Sequence, residues 1–515
     1  MSDKNRRVEK WIGAVIIPEY RPQGGESPGA PERSPSAAYL KRFPPLGLIG
    51  FGRRMPDGLR IDGLEQLTGE LVQSAYTLTG RRPFVCADLE CGAGYHLPGA
   101  SLLPPARALA AAEATLPGAV AAAAELTGRE ARAAGIDLVL APVLDVNTNP
   151  ANPIIGVRAF GRTPGEVTTM GRAFVEGLQR AGAGACIKHY PGHGDTHQDS
   201  HLTLPTILRS AEQLEHCELA PFRSVLADAA NSAQGGALAV MVAHLDVPAL
   251  TGRAGLVTSL SSAVMDGLRR DGFEGVAMTD GLAMKAVSDL ADLGARSLAA
   301  GCDALLAPVC EETMAEQLLE AVLAGRLSEQ RLEQAASRME RLRGQLASAP
   351  VPGPGAILPN PDQLARAALV ASPESDRWTR DFSGKPLHLI GTSDFEQVAR
   401  GLGAAQLAQA GEADPVLVVA GSQNIMGNGA SGLGPAAADQ AMAALREARS
   451  SGRKAGFVWF GAPEGLLGEH LATFRAELAQ SKAPTLVAFA PSDLMVRAVG
   501  DLLASSPDNF PGDKS

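Results

Sequence analysis

The sequence predicts an α/β protein in which a (β/α)8 barrel, the TIM-barrel architecture, is followed by a smaller α/β sandwich domain. Two observations lead to this prediction. Short apolar runs alternate with helical patterns up to about residue 345, and a second alternation follows a stretch rich in proline and glycine. A chain of 515 residues is long enough for two such domains.

The first part of the chain contains about eight short apolar runs, each a candidate for a strand buried in a parallel sheet. They are "WIGAVIIP", "LGLIGFG", "PFVCADLE", "DLVLAPVLDV", "GACIKHYPG", "LAVMVAHLDV", "GVAMTDGL" and "CDALLAPV". The run from Trp11 to Pro18 is too short for a signal peptide with its cleavage site, so we interpret it as the first strand.

Helices are predicted between several of these runs. Thr163, Pro164 and Glu166 form a capping box with proline at the first helical position. Apolar residues follow at helical spacing: Val167, Met170, Phe174 and Leu178. Repeated strand-then-helix units of this number are typical of a (β/α)8 barrel.

Polar residues stand at the carboxyl ends of the apolar runs. They are Asp88 and Glu90, Asp145, Lys188 and His189, His244, and Asp280. In a barrel these ends share one face, where active sites form. A doubly wound sheet is the alternative, but it would not gather all these ends into one pocket.

The barrel is expected to cover residues 1–346, with residues 21–45 as an exposed insertion. The stretch "ASAPVPGPGAILPNP" and the helical piece "DQLARAALVAS" place a linker at 347–380. The runs "PLHLIG", "PVLVVAG", "GFVWFG" and "TLVAFAP" predict a C-terminal α/β domain over 381–515. We expect this domain to stabilise the chain or to form a homodimer.

Composition excludes some classes of protein. The net charge of −10 and the lack of a basic run argue against a nucleic-acid partner. Apolar stretches are too short to span a membrane. The six cysteines are scattered and mostly lie in apolar segments, which indicates reduced, buried thiols. Without an export signal, the expected location is cytoplasmic.

The stretch "KHYPGHGDTHQDSH", Lys188 to His201, holds four of the nine histidines. It allows three interpretations: a metal site, an acid/base device or a polar loop that caps a strand. Imidazole and carboxylate suit zinc, but the two glycines and the proline disfavour a strand with all ligands on one face. The order also matches neither an H-E-x-x-H helix nor a Cys/His finger. We therefore predict no metal and no cofactor.

The acid/base interpretation is favoured because Asp199 stands two residues from His201. A carboxylate there can orient the imidazole and raise its basicity. Such a histidine can give a proton to a leaving group and later take one from water. In "GVAMTDGLAM", Asp280 ends an apolar strand and is a candidate nucleophile; the alternative is that it caps a following helix.

These residues resemble a known family. "KHYPGHGDTHQDSH" is similar to the signature loop of glycoside hydrolase family 3 β-N-acetylglucosaminidases. The segments "LAPVLDVNTNPANPIIGVRAFG", "LAPFRSVL", "VMVAHLDVPAL" and "VMDGLRRDGFEGVAMTDGLAM" follow the family's order. The resemblance is good over residues 83–285 and looser over the rest of the barrel.

The resemblance implies a (β/α)8 barrel and a retaining mechanism. Asp280 would be the nucleophile, and His201 the acid/base with Asp199 as its partner. The substrate-binding residues would be Asp88, Arg158, Lys188 and His189. The chain departs from the family at "CGAGYHLPG", which lacks the usual arginines, and at Gly281, where a second aspartate is common.

The leading hypothesis is hydrolysis of terminal β-linked N-acetylglucosamine from cell-wall fragments, as in peptidoglycan recycling, or from chitooligosaccharides. A phosphorylase is the runner-up, because a histidine acid/base would not repel phosphate. Other family 3 sugar specificities, a non-catalytic sugar-binding protein and a metal-dependent hydrolase are the remaining alternatives. Under each hypothesis based on the family resemblance, the expected partner is a small carbohydrate.

Overall fold

The structure is a computed structural model. It describes residues 3–20, 35–50, 76–77, 80–97, 99–150, 152–197, 203–231, 236–350, 358–371, 388–391, 416–421, 435–460, 472–481, 485–488, 495 and 499. The chain divides into two compact units: unit 1 is Met1–Leu102, Ala121–Val146 and Arg162–Leu358, and unit 2 is Leu103–Val120, Asn147–Gly161 and Pro359–Ser515. The domain boundaries at 346 and 380 stay a prediction.

A curled parallel sheet forms unit 1. Its strands are β1 Ile16–Ile17, β2 Glu19–Tyr20, β3 Gly47–Gly50, β4 Phe84–Ala87, β5 Leu138–Val139, β6 Gly184–Tyr190, β7 Ala239–Val242, β8 Val276–Thr279 and β9 Leu305–Leu306. Strands β2 to β8 pair in chain order, and β1 pairs with β9. A parallel bridge pairs Met278 of β8 with Ala304, the residue before β9. The strands predicted in the second to eighth runs are thus confirmed.

Helices alternate with these strands. The described helices are α1 Asp3–Val15, α2 Ala37–Arg42, α3 Ala106–Ala112, α4 Ala119–Ala133, α5 Pro164–Arg180, α6 Ala211–His216, α7 Ala220–Asn231, α8 Pro248–Thr251, α9 Ser262–Arg270, α10 Leu293–Ala300, α11 Glu311–Leu323, α12 Glu329–Ala347, α13 Pro361–Ala367, α14 Pro435–Ser450 and α15 Ala472–Ser481. The predicted capping box begins α5, where Thr163 and Glu166 bond each other's backbone. Among the residues that the structure describes, no helix is both long and apolar enough to span a bilayer.

The prediction for the first apolar run was wrong in its main part. Helix α1 continues to Val15, and only Ile16 and Ile17 form strand β1. The reason is that apolar residues in the run continue a helical spacing that begins in the residues before it. Val8, Ile12 and Val15 recur at four and three residues, all are buried, and α1 packs against α12.

The predicted exposed insertion at residues 21–45 also needs correction. Helix α2 begins after Ser36, whose side chain accepts a hydrogen bond from the backbone of Tyr39. Tyr39, Leu40 and Phe43 are buried, so this part of the insertion belongs to the core of unit 1. The remainder, residues 21–34, lies outside the described residues.

Buried aspartates tie neighbouring strands together at the amino ends of the sheet. Asp303, just before β9, accepts a hydrogen bond from the backbone N of Ala277 in β8 at 3.1 Å. Three guanidinium groups surround the same carboxylate: those of Arg269, Arg331 and Arg338. Asp137, just before β5, bonds Val85 of β4 in the same way. These charges stabilise the end of the sheet opposite to the predicted site.

In unit 2 the described strands are β10 Val370–Ala371, β11 His388–Gly391, β12 Val416–Gly421, β13 Ala455–Phe460 and β14 Thr485–Val487. They form a sheet of order β10–β14–β13–β12–β11, in which β10 alone is antiparallel to its neighbour. The helical piece after the linker is shorter than expected, because α13 ends at Ala367 and β10 follows. The predicted α/β sandwich stays a prediction.

We predict that Asp303→Asn lowers the free energy of unfolding by about 3–5 kcal/mol, because it leaves three partly buried guanidinium groups without the buried carboxylate that pairs with them. Chemical denaturation of the full chain would measure this. The control is Glu340→Gln, since Glu340 pairs with Arg343 and Arg81 but its side chain is 39% exposed. The control should change stability by less than about 1 kcal/mol. Equal effects of the two variants would contradict the prediction.

Candidate active site

Lys188 joins the carboxyl ends of β4 and β6. It is the fifth residue of β6, and its side chain is 2% exposed. Its Nζ lies 2.6 Å from Asp88 Oδ1 and 2.6 Å from Glu90 Oε1. The two carboxylates compensate the buried ammonium group. Asp88 is the more exposed of the pair at 24%, so it is the carboxylate that a ligand can reach.

Asp145 orients His189. Its side chain is fully buried, and its Oδ2 lies 2.7 Å from Nδ1 of His189. Its Oδ1 accepts hydrogen bonds from the backbone N atoms of His193 at 2.7 Å and His189 at 3.3 Å. Burial alone would raise the pKa of Asp145, but His189 and His193 outweigh it and lower the pKa. An ionised carboxylate only accepts, so Nδ1 of His189 carries the proton that faces it.

Asp280 stands directly after β8, and one oxygen of its carboxylate accepts a hydrogen bond from the backbone. Its backbone N donates to the carbonyl of Val242 at 2.9 Å, and its Oδ1 accepts from Gly281 N at 2.8 Å. Burial would raise the pKa of Asp280. His189, His244, the Gly281 N–H and Lys188 favour the charged form and together lower the pKa instead. The group is therefore a carboxylate anion at neutral pH.

Asp280 does not cap a following helix. The next helix, α10, begins only at Leu293. His244, at the end of β7, supports this region: its Nδ1 lies 2.8 Å from Ser259 Oγ and its Nε2 lies 3.2 Å from the carbonyl oxygen of Asp280. The helix-cap alternative for Asp280 was therefore wrong.

His193 has a structural role in the turn after β6. Its ring is buried, and Nδ1 lies 2.9 Å from Thr196 Oγ1. Burial lowers the pKa of His193 to about 4, so the ring is neutral at physiological pH. The geometry explains why the histidines of this stretch are not equivalent.

The metal hypothesis placed His193, Asp195, His197, Asp199 and His201 on one face. His193 instead contacts Thr196, and the Asp195 carboxylate pairs with Arg209. Across the described ranges, no group of three or more His, Cys, Asp or Glu side chains is arranged to hold a metal ion.

The structure brings together four of the seven predicted site residues: Asp88, Lys188, His189 and Asp280. Asp199 and His201 lie outside the described residues, so their roles stay predictions. Arg158 belongs to unit 2, where it ends a 3₁₀ turn and its Nη1 donates to the carbonyl of Ile154 at 3.3 Å. Its sugar-binding role also stays a prediction.

Three residues of the site received no role from the sequence: Glu90, Asp145 and His244. Each was visible as a polar residue at the end of an apolar run, which was the available signal. Their partners come from other strands. Glu90, for example, shares Lys188 with Asp88, and Lys188 and Asp88 are 100 residues apart in the sequence. Such pairing follows from the sheet and not from local spacing.

The chain is similar in sequence to known beta-hexosaminidases. The chain is 39% identical over 215 residues to a beta-hexosaminidase of Methylococcus capsulatus, covering 40% of this chain and 61% of the relative. It is 32% identical over 278 residues to beta-hexosaminidase A of Pseudoalteromonas piscicida, covering 48% of this chain and 45% of the relative. The match thus spans less than two thirds of either relative.

A solved structure shares the fold. It is a glycoside hydrolase family 3 beta-N-acetylglucosaminidase from Paenibacillus sp. str. FPU-7, with a TM-score of 0.74, 24% identity and 97% of each chain covered. The family model described as "Glycosyl hydrolase family 3 N terminal domain" matches residues 47–342. This match takes in more than half of the chain and every strand from β3 to β9, and the chain belongs to glycosyl hydrolase family 3.

Proposed function

We propose that this protein is a retaining β-N-acetylglucosaminidase that releases terminal β-linked N-acetylglucosamine through a covalent glycosyl-enzyme. The observation that carries the proposal is the state of Asp280. It is an ionised carboxylate directly after β8 that accepts a hydrogen bond from Gly281 N, and His189, His244 and Lys188 favour its charged form. A carboxylate held in this form can attack a carbon without first losing a proton.

Asp280 attacks the anomeric carbon as the bond to the leaving oxygen breaks. His201, oriented by Asp199, donates a proton to that oxygen. Water then displaces Asp280 from the anomeric carbon and gives its proton to His201. Two displacements return the sugar with its original β configuration. The histidine takes the place that a second carboxylate has in most glycosidases.

Asp88, Lys188 and His189 bind the sugar hydroxyls in this proposal, and the family resemblance proposes the same role for Arg158. The Lys188 ammonium group donates, and the exposed Asp88 carboxylate accepts. Charged partners of this kind reject analogues that lack the matching hydroxyl, because the buried group is then left unpaired. The His189 ring is fixed by Asp145 and so presents a constant orientation.

The finer sequence predictions belong to the same proposal. The substrates are cell-wall fragments or chitooligosaccharides, and the location is cytoplasmic. The pairing of β1 with β9 supports closure of the curled sheet into a (β/α)8 barrel. The five-stranded sheet of unit 2 supports a C-terminal α/β sandwich. A role of that domain in stabilising the chain or in forming a dimer is part of the same proposal. The names of the two beta-hexosaminidase relatives support the activity.

We predict that Asp280→Ala and His201→Ala each lower kcat/KM on 4-nitrophenyl N-acetyl-β-glucosaminide by about 10²-fold or more. Steady-state kinetics would measure this, with circular dichroism to check folding. Asp266→Ala and His216→Ala are matched controls, since both residues are exposed on helices of unit 1. Near-wild-type rates for either site variant would refute the assigned roles.

We predict a flat pH dependence for glycosylation of Asp280 by a dinitrophenyl glycoside. This leaving group needs no acid, and the pKa of Asp280 is lowered, so the nucleophile stays ionised from about pH 5 to about pH 8. The pre-steady-state burst of dinitrophenol reports the rate. A rate that falls below an apparent pKa within that window would show that Asp280 is not the ionised nucleophile.

A panel of aryl β-glycosides tests the substrate. We predict the highest kcat/KM for the N-acetylglucosaminide, compared with the glucoside, the N-acetylgalactosaminide and the xyloside. The sugar product should be free N-acetylglucosamine both with and without inorganic phosphate. Formation of a glycosyl phosphate would replace the hydrolase assignment with a phosphorylase.

A further inference from the structure

Asp195, two residues after His193, forms a two-pronged ion pair with Arg209. Arg209 Nε lies 3.0 Å from Asp195 Oδ2, and Arg209 Nη2 donates to Asp195 Oδ1 at 3.0 Å. Only about a quarter of each side chain is exposed. Parallel hydrogen bonds between a guanidinium and a carboxylate fix geometry as well as charge.

A second carboxylate, that of Glu218, lies behind the same guanidinium. Its side chain is 0% exposed, and Arg209 Nη1 is 3.3 Å from its Oε1. Burial raises the pKa of Glu218 to about 7, opposed by Arg209 and assisted by Asp195, with Cys217 as the other neighbouring ionisable group. Arg209 is therefore the counter-ion of a buried acid.

Glu218 also packs against the turn after β6. A Cβ added to Gly192 would lie 2.7 Å from Glu218 Cβ, and Gly192 has φ +127°, which favours glycine. The turn is held from its other side by Asp145, which bonds the backbone of His193. Asp195 thus belongs to a turn that is fixed at two points.

Arg209 comes from a separately anchored segment, in which Thr206 bridges Asp246. Ile207 is buried in a cluster with Leu214 and Leu245, and its backbone N donates to the carbonyl of Asp246 at 2.9 Å. The backbone N of Asp246 donates in turn to Pro205 at 2.8 Å. Asp246 follows β7, whereas Asp195 follows β6. The Asp195–Arg209 pair therefore joins chain segments that are attached to neighbouring strands.

We propose that Arg209, through its pairs with Asp195 and Glu218, is a positioning residue that fixes both ends of the segment between them for general acid/base catalysis. This inference rests on the proposed function, in which that segment supplies His201. An ion pair between the two residues that flank a 13-residue segment reduces the number of conformations open to that segment. The backbone contacts that anchor each flanking residue reduce it further. Arg209 itself touches neither substrate nor the reacting atoms.

The variant Arg209→Met separates positioning from mere stabilisation. A phenyl N-acetyl-β-glucosaminide needs a well-placed acid for its first step, whereas a dinitrophenyl glycoside does not. Misplaced ends should lower kcat/KM for the phenyl substrate by about 10²-fold and for the dinitrophenyl substrate by less than about 3-fold. A loss of folded enzyme lowers both values equally.

Arg223→Met is the matched control. Arg223 also pairs with two carboxylates, those of Glu215 and Asp271, but its pairs do not involve either end of the segment. It should change the ratio of the two kcat/KM values by less than about 2-fold. Arg209→Lys keeps the charge without the fork, so it should not restore the phenyl rate.

Loss of Arg209 leaves Glu218 buried without its cation, which can unfold the chain. The double variant Arg209→Met/Glu218→Gln removes that charge and should show the same selective loss for the phenyl substrate. Equal losses on both substrates, or no loss in the double variant, would overturn the positioning role. A wild-type protein inactive on both aryl glycosides would instead reject the proposed function, and the inference with it.

Discussion

The buried carboxylate of Asp145 is the interaction on which the arrangement of the site depends. It accepts hydrogen bonds from the ring of His189 and from the backbone of His193, and so joins the end of the β5 run to the end of β6. Because the Asp145 carboxylate is ionised and fully buried, these hydrogen-bond donors offset the cost of removing its charge from water. Strand β6 consequently delivers Lys188 and His189 in a constant orientation.

Charge is distributed differently at the two ends of the sheet. At the amino ends, Asp137 and Asp303 are surrounded by arginines and strand N–H groups, which is an arrangement for stability. At the carboxyl ends, Lys188 is shared by Asp88 and Glu90, while the ionised carboxylate of Asp280 accepts a hydrogen bond only from Gly281 N among the described residues. A carboxylate in that state is available for chemistry, whereas those at the amino ends are not.

Most of the sheet was predictable from short apolar runs, because a strand buried on both faces is recognisable by its composition. The first run failed for a physical reason. Val8, Ile12 and Val15 form one buried face with α12, and packing of that face decided between helix and strand. The insertion failed likewise, since Tyr39 and Phe43 are buried by residues distant in the sequence.

The sequence by itself determined the candidates for the chemistry: Asp280 at the end of an apolar strand, and the polar pair Lys188–His189 at the end of another. Tertiary structure alone decided their states. The ionisation of Asp280, the neutrality of His193 and the pairing of Arg209 with Asp195 and Glu218 depend on burial and on charges from other strands. Electrostatic energies follow distance through space, and a linear sequence does not contain that distance.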